Sequence, residues 1–213
     1  MKIVSIISIL FVGFSCVTQA QTVTIGTQLW MTKNLDVSTF KNGEPIPQAK
    51  TDEEWKKAGE NNQPAWCYYK NDTKKGKKYG KLYNWFAVND PRGLAPEGWH
   101  VATSKEFESL LLNLGGNIKL NSNNTTQQEL IKKLKSPNWN EKKENNQLSN
   151  FNLLPSSFRY DGGSFGKENN CNILFKDKIE FSISGTGVIN YSEIGNENVE
   201  EVAYGFSVRC LKD

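Results

Sequence analysis

Three Thr-x-x-Glu tetrads constrain this chain more than any other feature: Thr51-Asp52-Glu53-Glu54, Thr103-Ser104-Lys105-Glu106 and Thr126-Gln127-Gln128-Glu129. In each, a Thr hydroxyl can accept from the first-turn amides of a helix while a Glu three residues on reaches back to the cap, so each tetrad predicts a helix start. The stops come soon after. The first helix is expected over Asp52 to Ala58 and closes at Gly59. The second places Phe107, Leu110, Leu111 and Leu114 on one face and ends at Gly115-Gly116, and the third carries Leu130, Ile131 and Leu134 and ends at Pro137.

Everything else with apolar pattern is short and extended. Strands are expected at Thr22 to Ile25, Gln28 to Val37, Ala65 to Lys70, Lys81 to Trp85, Trp99 to Val101, Phe158 to Tyr160, Asn172 to Phe175, Ile179 to Ser184, Val188 to Tyr191 and Val202 to Leu211. Ile179-Glu180-Phe181-Ser182-Ile183 alternates strictly, the pattern of a sheet with one wet side. Turns such as Asn42-Gly43, Asp161-Gly162-Gly163 and Gly185-Thr186-Gly187 separate the strands. The outcome is one α+β domain with long loops and no internal repeat. Two polar stretches, Lys70 to Lys81 with six lysines and Asn138 to Asn150, read as solvated turns.

The first twenty residues read as a secretory signal peptide: Lys2, an apolar run from Ile3 to Val12 broken only by Ser5 and Ser8, then Thr18-Gln19-Ala20 at the cleavage positions. Cleavage leaves a mature domain over residues 21–213, secreted or on the outer cell surface. Cys16 raises lipid anchoring as an alternative, but Phe14 is bulky where a small residue is wanted and the preceding leucine is missing, so free secretion fits better. Nothing downstream is apolar for long enough to span a bilayer. A formal charge of +3 gives no argument for a polyanion, and export argues against a nucleic-acid partner. In an oxidising compartment Cys67, Cys171 and Cys210 imply one disulfide and one leftover thiol, with the pairing open.

Six blocks carry a resemblance: TIGTQLWMTKNLDVSTFKNGEPIP, AWCYYKND, YGKLYNWFAVND, GLAPEGWHVATSKEFESLLLNLGG, FNLLPSSFRYDGGSF and YGFSVRCLKD. In this order and spacing, from Thr22 to Asp213, the chain resembles the Fibrobacter succinogenes major paralogous domain family. The resemblance implies a secreted or surface domain of Bacteroidetes- and Fibrobacter-type bacteria. It also implies a C-type-lectin-like fold, with two to three short helices flanking small twisted antiparallel sheets and long loops on one face. It fixes location and architecture and implies no reaction. The sequence departs from the family pattern at Ala95, where a cysteine is usual, and at Asn172-Ile173-Leu174-Phe175, where a tryptophan-rich strand is usual. Cys67 and Cys210 stand at matching positions, and either can pair with Cys171.

These observations lead to a non-enzymatic exported binding module for glycan or an envelope protein, with a structural or assembly component of the cell envelope as the alternative. Tyr160, Phe165, Tyr191 and Tyr204, in or beside late loops, are the candidate sugar platforms, because a sugar's apolar face stacks on an exposed ring. The lysine-rich turn from Lys70 to Lys81 offers charge alone for an acidic polysaccharide or lipid head group. No cofactor is expected. Calcium enters only through the lectin-like resemblance: Trp139-Asn140-Glu141 is in the wrong region, and Glu193 to Glu201 gathers carboxylates and amides without ligand spacing. His100 stands alone, which disfavours zinc and makes it a hydrogen-bonded structural residue. A formylglycine-generating type of enzyme, built on a similar fold, would need an active pair from Cys171 and Cys210, and none of its surrounding motifs is present.

Overall fold

A computed structural model describes residues 21–116, 125–137, 139, 150–195 and 199–213; the expected signal peptide with Cys16, and most of the Asn138 to Asn150 loop, lie outside the described residues. The chain is a mixed α+β structure of small antiparallel sheets and short helices. Strands β1 (Thr22–Ile25) and β2 (Gln28–Met31) form a hairpin, and the last strand, β9 (Cys210–Lys212), pairs between β2 and β5 (Trp99–Val101). The two ends of the domain therefore close into one four-stranded sheet. A second ribbon joins β3 (Trp66–Cys67) to β4 (Leu82–Tyr83), and a third sheet orders β6 (Cys171–Leu174), β7 (Ile179–Ile183) and β8 (Ile189–Glu193).

The helices follow their caps. In α1 (Asp52–Glu60) the Thr51 hydroxyl accepts from Glu54 N at 3.1 Å, while the Glu54 carboxylate turns to Lys50 N instead of closing the box. Helix α4 (Ser104–Asn113) has both halves of the Thr103–Glu106 capping box. The third expectation is corrected: α5 (Thr125–Leu134) already includes Thr126, so that residue is inside the helix rather than its cap. Two helices escaped the sequence reading. The lysine turn contains α2 (Thr73–Tyr79), capped by Asp72 accepting from Lys74 N, and α3 (Trp85–Val88) is capped by Asn84 accepting from Ala87 N.

The largest apolar cluster lies between α4, α5, β2 and one face of β6-β7-β8. Phe107 is its hub, 4.6 Å from Phe181, 5.0 Å from Phe175 and 6.3 Å from Trp30 by ring centroid. A second cluster gathers Phe40, Trp66, Tyr83, Val208 and Cys210, and a third gathers Trp55, Cys67, Tyr69 and Leu82. Trp85 and Trp99 pack against the second cluster from partly exposed positions.

Two arginines are buried completely, and most of the backbone they hold lies outside the sheets. Arg209 donates to Asn34 Oδ1 (2.7 Å), Met31 O (2.9 Å), Phe151 O (3.0 Å) and Asn152 O (2.8 Å). Burial pulls its guanidinium down to about 10. Arg159 donates to the carbonyls of Gly163, Ala49 and Thr51 and to Asp52 Oδ1. A planar group with five donors serves several fixed carbonyls at once, which no other side chain does.

The expected disulfide is not formed. Cys67, Cys171 and Cys210 are free, and each belongs to a different apolar cluster, so no two are packed side by side in one core. Burial pushes each thiol up to about 12, away from the reactive thiolate form, and Cys171 and Cys210 lie in different clusters.

Two measurements check this account. Arg209→Met removes one donor from each of four oxygens and should lower the unfolding free energy by about 4 kcal/mol in urea denaturation, with Arg209→Lys recovering only part of the loss. The folded mature chain should show no thiol reacting with a soluble disulfide reagent, and all three should react once it is denatured; a disulfide-linked peptide pair in a non-reducing digest would contradict the separation of the cysteines.

Candidate functional site

The third sheet has two unlike faces. Register pairs Asn172 with Ser182 and Ser182 with Asn190, and in the next row Leu174 with Glu180 and Glu180 with Ser192. Because side chains alternate, these residues share one face, while Ile173, Phe181, Ile183 and Ile189 enter the main core on the other. The polar face is not wet, contrary to what the alternation suggested. Asn172, Glu180 and Ser182 are all less than a tenth exposed, at 7%, 8% and 8%.

What covers them is the chain just before β9. Leu174 N donates to Ser207 O at 2.9 Å and Ser207 N to Asn172 O at 3.3 Å, which lays residues 204–208 along the edge of β6. Gly205 exchanges two hydrogen bonds with Arg159, bringing Phe158 and Tyr160 alongside. The result is a cavity of about 250 Å³. Asn172, Glu180 and Ser182 form its floor, Asn190 and Ser192 an exposed rim, and Phe158, Tyr204 and Phe206 an aromatic wall, with Ile194 and Glu201 completing the lining.

The wall is built from packed rings. Phe158 stacks on Tyr204 at 6.2 Å and 19° and on Phe206 at 6.0 Å and 24°, and Tyr160 meets Phe158 at 4.7 Å and Tyr204 at 5.4 Å edge-on. Tyr160, at 38% exposure, is one of the large apolar side chains the surface shows.

Electrostatics single out Glu180. Asn172 Nδ2 donates to its Oε1 at 2.6 Å, and Asn172 Oδ1 is buried with no partner. Burial pushes the Glu180 carboxyl up to about 7; hydrogen bonds from Asn172 and Ser182 oppose the rise, and the Glu201 charge adds to it. Glu201 is held by Gly195 N, which donates to its Oε2 at 3.1 Å.

The sequence-derived platforms divide. Tyr204 lines the cavity, and Tyr160 meets Tyr204 edge-on from outside the lining. Phe165 does not: it packs on Tyr69 at 5.4 Å and beneath the Arg159 guanidinium at 4.8 Å. Tyr191 points to the opposite face of β8, against the main core, with its hydroxyl on Glu108 at 3.3 Å. The floor residues Asn172, Glu180 and Ser182 were missed, because a buried carboxylate and a solvated one leave the same alternating pattern.

The remaining candidates resolve as structure. Of Trp139-Asn140-Glu141 only Trp139 is described, and it is buried in the main core. The Glu193 to Glu201 stretch contributes Glu201 to the cavity, and residues 196–198 lie outside the described residues. Among the described residues, no group of three or more His, Cys, Asp or Glu side chains is arranged to hold a metal ion. His100 ties the C-terminal residue to α4, with Nδ1 at 2.8 Å from Asp213 Oδ1 and Nε2 at 2.9 Å from Glu106 Oε1. Burial works against its imidazolium, but those two hydrogen bonds outweigh it and raise its pKa. In the lysine turn, Lys70 and Lys75 pair with Glu168, and Lys81 is buried against Asp36. A larger groove of about 460 Å³ between α1 and Val202-Ala203 has no lining residue that is both polar and buried.

The family pattern decides the lineage: the Fibrobacter succinogenes major domain matches residues 23–212. The chain belongs to this family. No curated protein and no solved structure shows a match to it. The whole cavity of this Fibrobacter succinogenes major domain, from Phe158 to Phe206, falls within the matched span. Among the described residues no helix is long and apolar enough to cross a membrane.

Glu180 makes the fold pH-sensitive in a defined direction. Its folded pKa lies above its unfolded one, so its contribution is fully present below the ordinary carboxylate range and is lost as pH rises through about 7. The loss is on the order of 3 kcal/mol. Thermal unfolding followed from about pH 5 to about pH 9 should show this decline in the parent chain and a flatter profile in Glu180→Gln.

Proposed function

We propose that this domain is an exported, non-enzymatic binding module that seats one unit of a glycan in the cavity between β6-β7-β8 and residues 204–206. The observation that carries the reading is the pairing of a buried polar floor with an aromatic wall. Sugars present hydroxyls on one side and C–H groups on the other, and this cavity offers Asn172, Glu180 and Ser182 to the first and Phe158 and Tyr204 to the second. Glu180 and Glu201 are each held by a hydrogen bond, from Asn172 and from Gly195 N, as recognition groups in a fixed frame. The C-type-lectin-like architecture implied by the family resemblance, and the secretory character of residues 1–20, support the same reading. Export places the module outside the cytoplasm, where glycan is abundant.

Glycan-array screening of the mature chain, followed by calorimetry on the best binder, tests it. Tyr204→Ala should weaken binding by about tenfold through loss of ring contact. Phe165→Ala, outside the cavity, should change affinity little. Absence of binding to every glycan, together with a stoichiometric protein partner recovered from the cell envelope, would instead favour a structural or assembly role.

A further inference from the structure

The charge inventory of the cavity narrows the ligand further, and this step rests on the glycan-binding reading above. Two of the lining side chains are carboxylates, Glu180 and Glu201, and among the described lining residues none is Lys, Arg or His. Glu180 is only 8% exposed, so its charge is costly unless a cation arrives. Asn172 has already committed its Nδ2 to Glu180, leaving its buried Oδ1 as an acceptor without a donor. The unmet demand of the floor is thus for hydrogen-bond donors and positive charge. The aromatic wall adds to that demand, because the faces of Phe158 and Tyr204 carry the negative side of the ring quadrupole.

We infer that the cavity takes an amine-bearing sugar, with the ammonium group set between Glu180 and Asn172 and the sugar ring against Tyr204. An ammonium offers three donors and no acceptor, which complements a floor that presents acceptors. A neutral sugar supplies donors but no positive charge, so nothing in it favours the ionised form of the buried Glu180 carboxyl over the protonated one. A uronic acid brings a third carboxylate to two already present and is excluded by repulsion. Calcium fits less well: it requires six to eight oxygens, and no cluster of three or more His, Cys, Asp or Glu side chains that could hold a metal is present among the described residues. An ammonium needs only the acceptors that Asn172 and Glu180 supply, together with a ring face.

The test is calorimetry of the mature chain with short glucosamine oligomers, their N-acetylated counterparts, glucose oligomers and oligoglucuronate, at a pH that keeps the amine protonated. The amine form should bind at least about tenfold tighter than the N-acetylated and glucose forms, the difference a charge-assisted hydrogen bond makes, and the glucuronate form should not bind. Glu180→Gln should abolish the preference for the amine. Glu201→Gln, a half-buried position whose substitution keeps the acceptor for Gly195 N, should reduce it and serves if the first variant does not fold. Equal affinity for the amine, N-acetylated and glucose forms, lost in Tyr204→Ala, overturns the amine inference and leaves the glycan reading standing. Neutral-sugar binding that needs calcium and vanishes with chelator overturns it as well. No binding to any of the sugars removes both.

Discussion

The fold depends on a charge that has no countercharge. Arg209 sits fully buried and donates to four oxygens from two separate stretches of chain: Met31 at the end of β2 with Asn34 just after it, and the Phe151-Asn152 segment. Burying a guanidinium among neutral carbonyls is expensive, and burial lowers its pKa accordingly. The alternative is worse. Apart from Met31 at the end of β2, the residues it serves are irregular chain inside the domain, and a carbonyl with no donor there costs a full desolvation penalty. One rigid fork satisfies them together. Arg159 serves the carbonyls of Ala49, Thr51 and Gly163 in the same way, but with Asp52 as a partner of opposite charge and the ring faces of Trp55 and Phe165 flanking it.

These two anchors bracket the segment that makes the cavity. Between Gly205 and Arg209 the chain is bound on every side: Gly205 to Arg159, Phe206 to Tyr83 through a two-way hydrogen-bonded bridge, Ser207 to β6 and Val208 O to Leu35 N. Ser207 Oγ also donates to Ser156 Oγ at 2.7 Å. Tyr204 and Phe206 therefore stand where the backbone ladder puts them, and Phe158 is stacked on both because Arg159, its neighbour, is fixed. The aromatic wall is rigid through its backbone rather than through its own contacts, which is how a binding surface keeps its shape when empty.

Local chemistry was legible in the sequence, and distant chemistry was not. The Thr103–Glu106 box, the strand at Trp99–Val101 and the hairpin strand at Thr22–Ile25 are where the residues said they would be, since caps and alternation are decided within a few residues. Expected strands at Phe158 to Tyr160 and through most of Val202 to Leu211 are instead single bridges, because those residues pair with several partners in turn. Helix α2 was hidden by lysines, whose helix propensity is good but whose charge suggested a solvated turn. Pairing of the cysteines was inferred from compartment and number, and the fold places each in its own core instead. Of the four late-loop aromatics only Tyr204 lines the cavity, with exposed Tyr160 against it, whereas Phe165 and Tyr191, identical on paper, are packed elsewhere.

The polar floor shows why sequence pattern alone runs out at a site. In β7 the order Ile179-Glu180-Phe181-Ser182-Ile183 satisfies the two-residue period of a half-exposed strand, and nothing in it distinguishes water from a lid. The lid comes from residues 204–206 and 158, joined to β7 through β6, which Ser207 and Ser157 bridge. Once it is in place, Glu180 breaks the rule that buried positions are apolar or paired with opposite charge. A chain selected for stability alone would place an aliphatic residue there, because the carboxyl burdens the fold at neutral pH. The strand Asn172-Ile173-Leu174-Phe175 adds no ring to the cavity. Phe175 goes to the main core, and Asn172 turns to Glu180, so the aromatic contribution to this cavity comes from Phe158, Tyr204 and Phe206 instead. The buried carboxyl and the aromatic wall coincide in one cavity, so the local departure from stability falls where the proposed glycan site lies.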